Sequence, residues 1–497
     1  MKHGSVEYRK ADSAFFEKRG LKRYAGLWSL WALGVGAVIS GDFFGWNFGM
    51  ATGGFGGLLV AALIVTAMYL GLCFSIAEMT AALPHAGGAY SFARSSMGPW
   101  GGFITGMAEN MEYVLTPAVI VVGIGSYLGA IFGTPGWAEP IWWLVCYGMF
   151  VGLNIWGVEI SFKFTVIITL ISLAILTVFF AGAIPIFDAS LLFNIPAGAG
   201  HSTFLPAGAK GILICMPFAI WFFLAIEQLP LAAEEANQPQ KDLPKGIVLG
   251  ISTLIVYAFG VLFLNCGIGG GAAAMSTSSE PLFEGFKAIF GSGLGSKLLS
   301  FIAVAGLVAS FHSIIYAYGR QVFSLSRAGY FPSFLSLTHK KFKTPHVALI
   351  GGAVLGYAVA LVIKFMGSSS PVGAVLLNMA VFGAVISYCL QMTCYIILKL
   401  KHKNIERPYS SPMGIPGAVI ALVVAAVTLV SLFVVDPIYQ KVVIGAAIWY
   451  LLGIAYFAFV GRKQLILSPE EKFALDHEAN RKKGVVTSVV TEAGTLN

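Results

Sequence analysis

Twelve apolar runs of bilayer length constrain this chain more than any other feature. They fall at about 27–50, 55–81, 101–132, 140–157, 161–184, 209–232, 246–268, 297–325, 346–366, 372–398, 415–435 and 438–461. Roughly 20 apolar residues are what a helix needs to cross the hydrocarbon layer. A backbone in that layer must satisfy its own hydrogen bonds, so the expected fold class is all-α integral membrane, with twelve transmembrane helices. Composition agrees: 57% of the residues are hydrophobic, only 11% are charged, and the mean hydropathy is +0.81. A lipid bilayer is the expected surrounding.

The charges then set orientation. A net charge of +8 would suit nucleic acid, but the basic residues lie between the runs. Lys2, Arg9, Lys10, Lys18, Arg19, Lys22 and Arg23 precede the first; Arg94, Lys163, Lys241, Arg327, Lys341, Lys399 and Arg407 occupy alternate connections; Arg462, Lys463, Arg481 and Lys483 follow the last. All fall on one side, which the positive-inside rule makes cytoplasmic, and no nucleic-acid partner is expected. An even count returns the carboxyl terminus to the side of the amino terminus, so both termini are expected in the cytoplasm and the protein in a bacterial inner membrane. No cleavable signal is expected, because the segment before the first run is polar and basic and that run is too long for a signal sequence. Cys73, Cys146, Cys215, Cys266, Cys389 and Cys394 lie in apolar segments without C-x-x-C spacing, which reads as free thiols and no metal. No nucleophile and base stand out together, so enzymatic activity is not expected and no cofactor is implied.

The chain divides into a cytoplasmic segment 1–26, a core of runs one to seven over 27–268, an outer loop with runs eight to ten over 269–398, a loop with runs eleven and twelve over 399–467, and a tail 468–497. The glycine-rich stretch Leu83 to Gly102 is expected to form a short interfacial or re-entrant helix. In the outer loop, an amphipathic piece over 281–290 is expected to be a helical cap. The tail is expected to hold a short helix followed by disorder.

Two runs are poor helices. From Gly34 to Gly57 the first is dense in glycine and carries Asp42 at its middle. Glycine costs about 1 kcal/mol against alanine inside a helix, and an acid at membrane depth is expensive unless it faces a cavity or partner. A glycine packing face explains the glycines but not Asp42. The segment reads as a helix broken at Ser40-Gly41-Asp42 that lines a polar site. The sixth run repeats the pattern with Pro217, Glu227 and Pro230. Two broken helices five runs apart point to an inverted-repeat transporter with its site at mid-membrane.

The ordered set V-G-A-V-I-S-G-D-F-F at 35–44, E-M-T-A-A-L-P-H-A-G-G-A-Y at 78–90, A-A-E-E-A-N-Q-P-Q-K-D-L-P-K-G-I at 232–247 and G-R-Q-V-F-S-L-S-R-A-G-Y-F-P at 319–332 resembles the amino acid–polyamine–organocation (APC) family of permeases. The run R-Y-A-G-L-W-S-L-W-A-L-G-V-G-A-V-I-S-G-D-F-F-G-W-N-F-G at 23–49 resembles that family's bacterial ethanolamine permease branch. The resemblance implies a LeuT-like five-plus-five inverted repeat with two extra helices, and alternating access around a site between runs one, three, six, eight and ten. The family's glycine-serine-glycine turn, which offers backbone N–H groups to a substrate carboxylate, falls at Ile39, Ser40 and Gly41. Ile39 replaces the first glycine, and Asp42 makes the next position anionic. Alignment also implies that Glu112 and Tyr113 line the pocket, that Trp221 is an aromatic gate, and that Glu227 serves gating or proton exchange.

Asp42, Glu112 and Glu227 are thus expected near one cavity with no base beside them. Like charges crowded in a low-dielectric site resist joint ionisation unless a cation is present. A small primary amine, charged at neutral pH like lysine, resolves the conflict. Phe43, Tyr113, Trp221 and Phe222 would add aromatic faces toward its ammonium, and backbone around Ser40 and Gly41 would receive a hydroxyl. Trp46 reads either with this cluster or as an interfacial anchor, and His312 as a hydrogen-bonded helix contact. Some proton-coupled relatives carry a lysine in the fifth span, but its position here reads Ser172. Coupling stays open between H+, through Glu227 or Glu112, Na+, with Ser310 and Ser313 as a candidate site, and electrophoretic uptake of the cation. The expected activity is import of ethanolamine or a similar small cationic amine. The alternatives are a proton-coupled amino-acid permease and a transporter-like nutrient sensor.

Overall fold

A helix forms at every one of the twelve apolar runs, because in each the side chains are apolar enough to be buried or to face lipid while the backbone bonds to itself. The computed structural model describes residues 2–3, 5–365, 372–434, 437–483 and 485. Among them, ten helices are long and apolar enough to cross a membrane. Two of the twelve runs fall outside that set: the first, whose helix stops early, and the fourth, Glu139–Ile155, of only 17 residues. The six cysteines are free.

The first run is broken, but about one turn later than its sequence implies. Leu27–Val38 continues through Ile39 into Ser40–Phe43, and the Phe44 N–H still reaches the Ser40 carbonyl at 3.0 Å. The chain opens at Phe44, which is extended, and at Gly45, where φ is 92°. Glycine is the residue that takes this left-handed conformation without steric cost. A 3-10 turn, Trp46–Gly49, then leads into Met50–Ala82.

The sixth run breaks in the same manner. Helix Gly208–Trp221 passes straight through Pro217, so that proline is not the break. The interruption comes at 222–225, where Ala225 sits at φ 83°, before the 3-10 stretch Ile226–Ala232. A left-handed alanine costs about 1–2 kcal/mol. The Glu227 carboxylate offsets this by accepting the Ala225 N–H at 3.1 Å.

The third run lies in Gly88–Phe132, kinked at Gly98 where φ is 76°, so the stretch before the kink is a short helix of its own, as expected for the 83–102 connection. The outer connection carries helices Gly271–Thr277 and Pro281–Phe290. The second buries Leu282, Phe283 and Phe286 along one side, as its amphipathic pattern requires.

The ends of the chain depart from the all-α expectation. Val6–Arg9 pairs antiparallel with Lys2–His3 and parallel with Leu465–Ile466, with Tyr8 opposite Leu465. Alternation in V-E-Y-R buries Val6 and Tyr8 on one side of the strand. Because the two ends share a sheet, they lie on the same side of the helical body. The tail forms the expected short helix, Pro469–Lys483, but it is packed into the protein. Disorder was expected beyond it, on residues 484 and 486–497, which lie outside the described residues. Glu471 is fully buried and accepts from Tyr8 Oη at 2.6 Å, Arg94 Nε at 2.7 Å and Tyr330 Oη at 2.8 Å. Glu470 accepts from Ser324 Oγ at 2.9 Å and Arg327 Nη2 at 2.7 Å.

Burial works against the charged form of Glu470, yet the Arg327 guanidinium outweighs it and holds the carboxyl down at about 2, below its ordinary 4.5. A carboxyl lowered in the folded state adds stability that is complete above its unfolded value and is lost as pH falls through the folded one. The contribution of Glu470 to the tail clasp is therefore complete above about pH 4.5 and shrinks from there toward pH 2. Limited proteolysis of the tail should be as slow at pH 5 as at pH 7 and should quicken as the pH falls further.

Candidate functional site

The two breaks meet. A Cβ on Gly41 would lie 2.4 Å from the Trp221 carbonyl oxygen, so only glycine lets the two backbones approach this closely. Trp221 Nε1 donates to the Phe44 carbonyl at 2.8 Å, which satisfies a group freed by the first break. Phe222 stacks on Trp46 with centroids 5.7 Å apart, and Trp46 is fully buried, so it is not an interfacial anchor.

A second repair comes from the eighth run, helix Leu294–Arg327. The Ser310 hydroxyl accepts the Ser40 N–H at 2.9 Å and donates to the Gly36 carbonyl at 2.7 Å. Those two groups would otherwise bond each other in a regular helix, so Ser310 is inserted into the ladder. The backbone N–H of Ser40 is thereby occupied by protein. Ser313 lies one turn on, its hydroxyl buried and 3.2 Å from where a Cβ on Gly36 would sit. The third run supplies another link: Tyr127 Oη donates to the Phe43 carbonyl at 2.7 Å and accepts the Leu282 N–H at 3.2 Å, joining the break to the outer helix. Phe43 itself packs on Gly306.

Glu112 and Glu227 adjoin, with Glu109 and Tyr113 close by. Glu227 Oε1 accepts from Tyr388 Oη at 2.8 Å, and Tyr388 Oη is 2.9 Å from Tyr69 Oη. Among the described residues, neither oxygen of Glu112 receives a hydrogen bond. Two adjoining carboxyls in a sealed site share a proton or hold a cation between them. Asp42, on Ser40–Phe43 of the first run, is 1% exposed, and both its oxygens lack a hydrogen-bond partner among the described residues. Glu109 is held by Gln321 Nε2 at 2.6 Å. Ser40, Gly41, Phe43, Trp221, Phe222, Glu112 and Glu227 are all buried, so the site is closed on both sides.

Other sequence expectations find structural places. His312 bonds Asn154 and Ser161 at 3.0 and 2.9 Å, as a helix contact. Glu78 pairs with Lys399 and accepts from Tyr395. Tyr69 and Tyr388 carry no sequence signal, since tyrosines in apolar helices are common packing residues, and only the fold brings them to Glu227. The motif segments 232–247 and 319–332 meet on the side of the termini: Glu235 pairs with Arg320 at 2.9 Å and Glu234 with Arg327. Glu235 also accepts from Tyr316, and its carbonyl takes the N–H groups of Tyr24 and Ala25 at 2.8 and 2.9 Å.

A multi-pass helical body, two broken helices in contact and buried acids at the breaks define a membrane transporter rather than an enzyme. The family model for amino acid permeases matches residues 30–466, and the chain belongs to that family. An uncharacterised transporter of Rhizobium meliloti (strain 1021) is 31% identical over 66% of this chain and 70% of its own length. The methylthioribose transporter of Bacillus subtilis (strain 168) is 24% identical over 92% of this chain and 97% of its own, and the branched-chain amino acid permease of the same organism is 24% identical over 90% and 94%.

With the segment held on its present course by the Tyr127 and Trp221 bonds to the Phe43 and Phe44 carbonyls, replacing Ser310 by alanine leaves the Ser40 N–H and the Gly36 carbonyl buried without partners. An unsatisfied buried group costs about 1–3 kcal/mol. The Ser310→Ala protein should melt several degrees lower in detergent, whereas Ser310→Thr, which keeps the hydroxyl, should lose much less.

Proposed function

We propose that this permease imports ethanolamine, or a closely similar small cationic amine, across the bacterial inner membrane by alternating access. In this reading the chain has twelve spans, arranged as a LeuT-like five-plus-five repeat with two further helices, and both termini are cytoplasmic. The observation that carries it is the buried Glu112–Glu227 pair, which has no basic partner among the described residues. A primary ammonium supplies the missing positive charge and three N–H donors. Glu112 would be its main counter-ion, since Glu227 already accepts from Tyr388 and Ala225. Tyr113, Trp221 and Phe222 would enclose the alkyl part, and Asp42 would act at the first break beside Ser40, Gly41 and Phe43.

The same pair offers a route for coupling. A cation that enters between the two carboxyls displaces their shared proton, so uptake and proton movement would be linked through Glu112 and Glu227. Sodium at Ser310 and Ser313 is less favoured, because Ser310 already uses both its donor and an acceptor position on the first helix.

A proton-coupled amino-acid permease is the second reading, favoured by the names of several relatives. Against it stand Ile39 in place of glycine and the Ser40 N–H already bonded to Ser310, which leaves little backbone to hold a carboxylate. A nutrient sensor is separated from both by net flux.

Uptake of labelled ethanolamine into proteoliposomes, with unlabelled alanine, glutamate and choline as competitors, tests these readings. Competition by ethanolamine alone supports the cationic site, and competition by alanine supports the amino-acid reading. Removing one partner of a buried charge pair costs about 3–5 kcal/mol. Glu112→Gln should therefore weaken ethanolamine uptake by at least tenfold while the protein remains folded, and unchanged uptake would remove Glu112 from the site.

A further inference from the structure

Arg327 ends the eighth-run helix with two carboxylates on one guanidinium. Its Nη1 donates to Glu234 Oε2 at 2.8 Å, and its Nη2 donates to Glu470 Oε1 at 2.7 Å. The two acids come from different parts of the molecule. Glu234 lies just past the second broken helix, in the segment that also bonds the start of the first. Glu470 belongs to the tail, which is anchored away from that segment through Ser324, Arg94, Tyr330 and the amino-terminal strand. Arg327 and Glu470 are 5% and 0% exposed in their side chains, whereas Glu234 is 25% exposed.

Opening toward the side of the termini requires the ends of the two broken helices to leave the eighth-run helix, and so requires Glu234 to leave Arg327. A buried guanidinium stripped of its carboxylate is strongly disfavoured. Here it is not stripped, because Glu470 stays. We infer that Glu470 is the stand-in counter-ion of Arg327, which makes the tail part of the gate and allows the Glu234–Arg327 pair to break during transport. Glu234 then holds the gate closed and Glu470 favours its opening, so the two acids on one arginine act in opposite directions. A tail that was only a structural tether would act in the same direction as Glu234.

This inference rests on the alternating-access reading but not on any substrate. Its probe is native Cys73, buried beside Glu227 and therefore reachable only through an open gate. Methanethiosulfonate ethyltrimethylammonium, whose fixed charge keeps it from crossing the bilayer, is applied from the side of the termini to oriented proteoliposomes, and modification of Cys73 is followed by peptide mass spectrometry. Glu234→Gln should raise the rate and Glu470→Gln should lower it, each by about tenfold, with Glu470→Asp, which keeps the charge at a shorter reach, lowered less. Melting temperatures in detergent establish that the variants are folded, and if Glu470→Gln does not fold, Glu470→Asp, with its shorter reach, should still show a lowered rate. A Glu470→Gln rate equal to or above wild type, alongside a raised Glu234→Gln rate, overturns the role of Glu470 and leaves alternating access standing. If Cys73 is unreactive in wild type and in Glu234→Gln alike, this side does not open and both readings fall.

Discussion

A helix that breaks at membrane depth frees backbone groups that no water is available to satisfy, and the arrangement of this permease follows from how they are repaired. The freed groups of the first run are taken by Ser310, Tyr127 and Trp221, and the strained turn of the sixth by Glu227. These side chains come from the third, sixth and eighth runs. The breaks therefore hold the surrounding helices in register, and a movement of any of them is felt at the site through a hydrogen bond rather than through packing alone.

Charge is handled in two ways within the same fold. On the side of the termini three buried or half-buried acids have an arginine: Glu234 with Arg327, Glu235 with Arg320, and Glu470 with Arg327 again. At the breaks, Asp42 and the Glu112–Glu227 pair have none among the described residues. Paired buried charges are explicable as architecture, whereas a buried acid without a base asks for a proton or a cation from outside. That contrast separates the proposed gate from the proposed site without reference to any relative.

Much of this was legible along the chain because hydrophobic length and glycine content are local properties. The helices at the apolar runs, the amphipathic helix Pro281–Phe290 and the interruption near Gly45 follow from them. The exact position of each break does not. Phe44 and Ala225, rather than Ser40 or Pro217, leave the helical conformation, because tertiary partners decide which carbonyls are satisfied when released. Trp46 illustrates the same limit: its sequence position suits an interface, but stacking on Phe222 draws it into the core.

What the sequence determined alone is the medium and the inventory: a bilayer-length set of helices, basic residues gathered on alternate connections, two weak helices, and acids in segments with no base. Those are properties of composition and spacing along one chain. Only the tertiary structure decided which acids are neighbours, placing Glu112 against Glu227. It also placed Tyr388 on Glu227 and brought Glu470 from the end of the chain to Arg327. Such pairings join residues 143 and 161 positions apart, and they depend on how helices pack, which no local pattern encodes.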